Sequence, residues 1–213
     1  MLMENVLIIG AHFDDAELGV GGTAAKLVAE GKKVYKLTLT DNVTKFDAMN
    51  INVNYESSRA QSAKACEILG VQEITNFKPV ECSNLSYNQK IMQQVEKIII
   101  DLNIDTVFMH FNADMNTDHV AASRICLTAA RHCRNIIQFQ SNGYVLENVY
   151  YPTFFVDIDD YIDKKKKALA CYGKEHNRFD RLFDVSIERN HVWGYSNKVE
   201  YAEGFNIIKM LLK

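Results

Sequence analysis

Residues 5–11 (NVLIIGA) form a near-continuous apolar run that stops at polar residues. A run of this kind is the mark of a strand covered on both faces, as in a parallel sheet. Parallel neighbours need a crossover, so a helix must follow. Residues 23–30 (TAAKLVAE) supply it, Gly31 stands where a left-handed cap residue would stop it, and residues 33–40 (KVYKLTLT) give the next strand. Strand, helix and strand within about forty residues is the signature of a right-handed βαβ unit.

The alternation continues. A loop over 41–54 leads to a helix over 55–69 that ends at Gly70, then a short strand at 73–77, a helix at 88–102 and a strand at 105–110. After a loop at 111–117 comes a helix over 118–133, with Asp118 placed at its N-terminus to complement the dipole. The last third reads as a strand at 153–158, a helix at 160–171 and an apolar element at 205–212, with 172–197 polar, aromatic and without clear period. This order predicts an α/β fold: a three-layer sandwich around a mostly parallel sheet. No repeat, low-complexity tract or linker divides it, so residues 1–213 read as one domain.

Charge and composition narrow the function classes. The 24 Lys and Arg against 27 Asp and Glu leave a formal charge of −3, without the clustered cations that phosphate neutralisation needs. Nucleic acid is therefore not an expected partner. No apolar stretch reaches the 18 or so residues of a membrane span, and the first residues have no cationic n-region, so a cytoplasmic protein without membrane insertion is expected. The five cysteines (66, 82, 126, 133 and 171) form no C-x-x-C pair and read as reduced and buried.

In open α/β sheets ligands bind beyond the carboxyl ends of strands. The first strand runs into Ala11-His12-Phe13-Asp14-Asp15-Ala16-Glu17-Leu18-Gly19, which concentrates one imidazole and two adjacent carboxylates at that point. These donors suit zinc or a similar divalent ion, and neighbouring Asp side chains on a turn can divide the work, one ligating and one facing water. The plainer alternative is a polar His12 with Asp14 and Asp15 capping a turn. A dinucleotide site built on Gly19, Gly21 and Gly22 is disfavoured, because an acidic hexapeptide separates the strand from the glycines. Those glycines read instead as sites of close backbone packing.

A second cluster follows the strand ending at His110, in Asp114, Asn116, Asp118 and His119. With His12 and Asp15, His119 completes a His, Asp, His set that leaves an open position, as in catalytic rather than structural zinc sites. Asp118 reads as a loop anchor or as the partner that orients a metal-bound histidine. Taken alone, Asp118 would be only a helix cap and His119 only a helix-start residue.

Residues 11–23 (AHFDDAELGVGGT) resemble the A-H-P-D-D-x-E-L/I-G-x-G-G-T signature of the PIG-L/LmbE-like family of zinc-dependent N-deacetylases. Asn116-Thr117-Asp118-His119 looks like that family's H-P-D-H element, residues 151–158 (YPTFFVDI) resemble its late strand, and residues 201–205 (YAEGF) are similar to its Y-A-E-x-F segment. The resemblance implies a Rossmann-like sandwich and a hydrolase that removes an N-acetyl group from an amino sugar or sugar conjugate. It implies His12, Asp15 and His119 as Zn2+ ligands and Asp14 as general base, taking a proton as hydroxide attacks the amide carbon. It also implies Arg59 as a substrate contact.

Three departures from the signature bear on chemistry. Phe13 replaces a proline, which alters loop stiffness but removes no functional group. The D-D-A-E order resembles the variant of the bacillithiol-pathway branch. Asn116 stands where the family commonly has histidine. Asparagine can donate a hydrogen bond to an oxyanion but cannot deliver a proton, so the leaving amine would need Asp14 as a shuttle or another acid among His110, His176 and His191.

Elsewhere, the four lysines at 164–167 read as a solvated helix face, and Trp193, Tyr195 and Tyr201 as packing or sugar-stacking residues. Glu203 reads as a substrate contact or a brace. The aromatic C-terminal segment hints at a homo-oligomer. The rival to a deacetylase is a sugar- or nucleotide-binding α/β module that kept the fold and lost full chemistry; a nucleotide-dependent oxidoreductase comes third.

Overall fold

A computed structural model describes residues 3–144, 148–173, 175–176 and 181–211. The chain enters through β1 (Asn5–Gly10), α1 (Asp15–Ala29) and β2 (Lys33–Thr38), which pair and cross over as the apolar run requires. A hairpin of β3 (Thr44–Phe46) and β4 (Ile51–Val53) follows, then α2 (Tyr55–Leu69), β5 (Gln72–Glu73), α3 (Gln89–Asp101) and β6 (Thr106–His110). The remainder is α4 (Thr117–Ala129), β7 (Asn135–Phe139), β8 (Phe154–Asp157), α5 (Ile162–Leu169), α6 (Leu182–Ser196) and β9 (Ala202–Lys209).

Seven strands form one sheet in the order β5-β2-β1-β6-β7-β9-β8. The pairs from β5 to β7 are parallel, and β9 runs antiparallel to both of its neighbours. Alternate residues of β1 face opposite layers. Val6 and Ile8 pack with α1, α2 and α5, whereas Leu7 and Ile9 pack with α3 and α4. The sheet is therefore buried on both sides in a three-layer α/β sandwich, mostly parallel as expected.

The helices that leave β1 and β6 lie on opposite faces of two adjacent strands. Such a switch point opens a crevice at the carboxyl ends of the strands. Both polar clusters fall there.

Several elements depart from the sequence reading. The first helix starts at Asp15, not at residue 23, and carries Gly19, Gly21 and Gly22 inside it. A Cβ at Gly19 would lie 2.2 Å from the Phe139 ring, and one at Gly22 would lie 2.7 Å from Ile158. Tight packing against neighbours outweighs the helix-weakening effect of glycine here, and the close-approach reading of these residues holds. The fourth helix is capped by Asn116, not by Asp118, and stops at Ala129. The expected loop at 41–54 contains the hairpin. Strand β7 and helix α6 carry no forecast, and β9 begins at Ala202. The expected apolar element at 205–212 ends on residue 212, which lies outside the described residues.

The four lysines do not share one environment. Lys165 is fully buried, with its ammonium 2.7 Å from Glu203 Oε1 and donating to the Leu18 carbonyl at 2.8 Å. Glu203 in turn accepts from the amides of Gly22 and Thr23, so it braces α1. On the other side of the same helix, buried Lys36 pairs with Glu17 at 2.7 Å and donates to the Phe13 carbonyl, which Tyr172 also holds through its hydroxyl. Breaking either buried pair by removing one partner should cost about 3–5 kcal/mol, because the other charge is left uncompensated.

Candidate active site and metal centre

Residues 11–15 turn sharply out of β1. The His12 amide donates to Asp15 Oδ2 at 2.7 Å, which brings the His12 and Asp15 side chains to the same side of the turn. From the neighbouring strand, β6, the chain passes through Asp114 to Asn116, whose side-chain oxygen accepts from the amides of Asp118 at 2.9 Å and His119 at 3.4 Å. That cap fixes the first turn of α4 and presents His119 over the carboxyl end of β1.

Three donor groups converge. His12 Nδ1 lies 3.1 Å from His119 Nε2, His119 Nε2 lies 3.3 Å from Asp15 Oδ1, and His12 Nδ1 lies 3.5 Å from Asp15 Oδ2. Ligands about 2.0–2.2 Å from a tetrahedral zinc are separated from one another by roughly 3.4 Å, so these separations fit such an ion. Each donor is also held from behind. His119 Nδ1 lies 3.1 Å from Asp114 Oδ2, and Asn142 donates to both oxygens of Asp114 at 2.8 Å. His12 Nε2 lies 3.2 Å from Asp118 Oδ2, which also accepts from the Ser83 amide. Asp15 Oδ2 lies 3.0 Å from His110 Nε2. Carboxylates behind metal-facing imidazoles fix the ring nitrogen that is offered forward.

The electrostatics agree with a site built for a cation. Burial opposes charge on His119, yet Asp15 and Asp114 outweigh it and push the imidazole up to about 9. Burial likewise opposes charge on His12, but Asp118 and Asp15 hold it well above the usual imidazole range. Asp15 sits well below the usual carboxylate range: its burial is outweighed by His119 and His110. Asp15, Asp114 and Asp118 thus favour positive charge at His12 and His119. The donor set of two imidazoles and one carboxylate, with outer carboxylates, fits zinc or a similar divalent ion.

The cluster forms one wall of a cleft of roughly 350 Å3. Asp14, Asn116 and His176 line the same space, as do Ser141 and Asn142 beyond the end of β7 and Thr44 and Val53 of the hairpin. Asp14 is buried, with Oδ2 3.6 Å from His176 Nδ1. The Ser141 hydroxyl is buried and has no hydrogen-bond partner among the described residues. Cys82 lies at the edge of the cluster, its Sγ 3.7 Å from Asp118 Oδ2.

Other residues singled out in the sequence fall elsewhere. Arg59 does not line this cleft; it faces a separate, much smaller crevice beside Phe13, Tyr55 and Glu73. His110 is fully buried behind Asp15, stacked on His119 at 4.0 Å between ring centroids. His191 is exposed on α6 against Tyr201. Trp193 packs with Tyr150 and Phe155, and Tyr195 points to solvent. Asn142, Ser141 and Ser58 join or back the cleft without any forecast. The strand-end rule that exposed the first two clusters reaches Ser141 and Asn142 once β7 is recognised.

Two relatives and one solved structure set this arrangement in context. The chain is 28% identical over 173 residues to an uncharacterized deacetylase, YaiS, of Escherichia coli (strain K12), covering 78% of this chain and 89% of that one. It is 25% identical over 191 residues to the diacetylchitobiose deacetylase of Thermococcus kodakarensis, covering 81% and 70% respectively. GalB, the 4-carboxy-2-hydroxymuconate hydratase of Pseudomonas putida KT2440, has the same fold, with a TM-score of 0.84 at 19% identity over 99% of this chain and 98% of that one. The model of the PIG-L family, described as GlcNAc-PI de-N-acetylase, matches residues 7–130, a segment that holds both strand-end clusters. By that match over more than half of its length, the chain belongs to the PIG-L family.

Proposed function

We propose that the protein is a zinc-dependent N-deacetylase that hydrolyses the acetamide of an amino sugar or sugar conjugate. The observation that carries this reading is the convergence of His12, Asp15 and His119 donor atoms within 4.8 Å of one another beside Asp14, on one wall of an open cleft. The two deacetylase relatives and the family support the reaction class.

In this reading His12, Asp15 and His119 hold the ion. When bound, it supplies Lewis acidity, lowering the pKa of water towards about 7 and polarising the amide carbonyl. Asp14 takes the proton of the attacking water. Asn116, whose oxygen is committed to the helix cap, has only its amide hydrogens to offer to the developing oxyanion. The Ser141 hydroxyl, without a hydrogen-bond partner among the described residues, is a ready hydrogen-bonding group for a sugar hydroxyl or the acetamide. Arg59 keeps a role only if a long substrate reaches the second crevice. A second reading, a binding module without turnover, is favoured by Asn116 alone.

The test is metal analysis together with acetate release. The purified protein should hold about one zinc, release acetate from N-acetylglucosamine or N,N'-diacetylchitobiose, and lose both properties in His12→Ala. Asp14→Asn should keep the zinc and lose roughly 100- to 10,000-fold in kcat, the usual size of a general-base contribution. A protein without bound divalent ion, or an Asp14→Asn variant with unchanged turnover, contradicts the reading.

A further inference from the structure

We infer that His176 is the acid that protonates the leaving amine, paired with Asp14 as the base; this rests on the deacetylase reading above. Asn116 caps α4 and has no proton to give, so a C–N bond broken here needs its proton from Asp14 as a shuttle or from a separate acid. Of the four histidines free of the donor set, His132 is exposed after α4, His191 is exposed on α6 and His110 is sealed behind Asp15. His176 alone among them lines the cleft.

Its surroundings suit the role. His176 is buried, with Nδ1 3.6 Å from Asp14 Oδ2 and Nε2 3.1 Å from the Ser58 hydroxyl of α2. The ring packs on Tyr172, which follows α5, at 5.1 Å between centroids. The charged or titratable groups facing it are thus Asp14 from the β1 turn, Tyr172, and its own neighbour Glu175, whose carboxylate accepts from Gln61 of α2 at 2.9 Å. Ser58 holds the far nitrogen, so the ring presents Nδ1 towards the base and the cleft.

The steps balance. As the water oxygen bonds to the carbonyl carbon, one water proton passes to the Asp14 carboxylate and the carbonyl π pair moves to oxygen. On collapse the carbonyl re-forms, the C–N bond breaks with its pair on nitrogen, and His176 delivers its Nδ1 proton to that nitrogen. Asp14 then returns its proton to His176. The sum is amide plus water to carboxylic acid plus amine.

The experiment compares a leaving group that needs a proton with one that does not. With the zinc-loaded full chain, His176→Gln should lower kcat for N-acetylglucosamine by about 100- to 10,000-fold and change turnover of 4-nitrophenyl acetate by less than about threefold. Its KM, zinc content and melting temperature should stay near those of the wild type. Equal loss on amide and ester, or no loss on the amide, overturns the inference. If His176→Gln does not fold, the wild type still decides: its amide pH profile should fall on an alkaline limb that the ester profile lacks, and identical profiles overturn the assignment. Wild-type protein that holds zinc but releases no acetate from any N-acetyl sugar defeats the deacetylase reading itself, and this inference falls with it.

Discussion

Asp15 has two oxygens and three neighbours to satisfy. One oxygen takes the His12 amide and faces His110, which leaves the other to His119 and the space between the histidines. This is why the local motif was legible: all the chemistry of the first cluster lies within five residues of a strand end, and strand ends are where such sheets bind ligands. His176 and Ser58 were not legible in the same way, because their pairing depends on how α2 and the segment after α5 pack, at a separation of 118 residues. Arg59, one residue away from Ser58 on α2, faces the smaller crevice, while Ser58 is buried against His176. At this scale the helix glycines give a clear prediction. Gly19→Ala places a methyl against the Phe139 ring and should destabilise the protein by about 1–3 kcal/mol by overpacking, read as a lower denaturant midpoint. An unchanged midpoint would show that the ring can turn away.

Among the elements, those with explicit start and stop chemistry were read most closely. Helix α2 runs over 55–69 as its sequence demands: the Asn54 side chain accepts from the amides of Glu56 and Ser57, and Gly70 ends it at φ +76°. Asn54→Ala removes that cap and should cost about 1 kcal/mol in thermal or chemical unfolding. An effect below about 0.3 kcal/mol would mean that water replaces the side chain. Helix α1 was misjudged because glycine weakens a helix locally, and only tertiary packing on Phe139 and Ile158 makes it an advantage. Strand β7 follows α4 with a short connection that the longer helix forecast had absorbed. Helix α6 escaped because its buried contacts are few and widely spaced, Ser186, Asn190 and Gly194, so no apolar stripe announces it.

For the whole molecule, the central run of apolar residues was enough to imply the sandwich, but not the two lysines that anchor its first helix. Lys36 carries a pH prediction. Its burial would lower the ammonium, but Glu17 outweighs that and pushes it up to about 12, from 10.5. A group whose folded value is raised contributes stability that is complete below the unfolded value and fades as pH climbs through the folded one. Burial also holds the Tyr172 phenol well above its ordinary value of 10, which acts in the same direction. The melting temperature should therefore hold from pH 8 to about 10 and fall steeply between about 10.5 and 12; a midpoint level through that window would contradict the assignment.

The same two anchors divide the cleft in time as well as in space. Lys36 and Tyr172 grip the Phe13 carbonyl and Lys165 and Ser186 the Leu18 carbonyl, so the wall that carries Asp14 and Asp15 is fastened at both ends by buried groups. The β3–β4 hairpin lines the cleft through Thr44 and Val53, and its residues 45–48 are exposed. Amide hydrogen exchange should follow that asymmetry, with residues 14–20 opening only on global unfolding and the hairpin exchanging through cheap local fluctuations. Entry and exit of a substrate would then be timed by the hairpin, while the reacting groups keep their places.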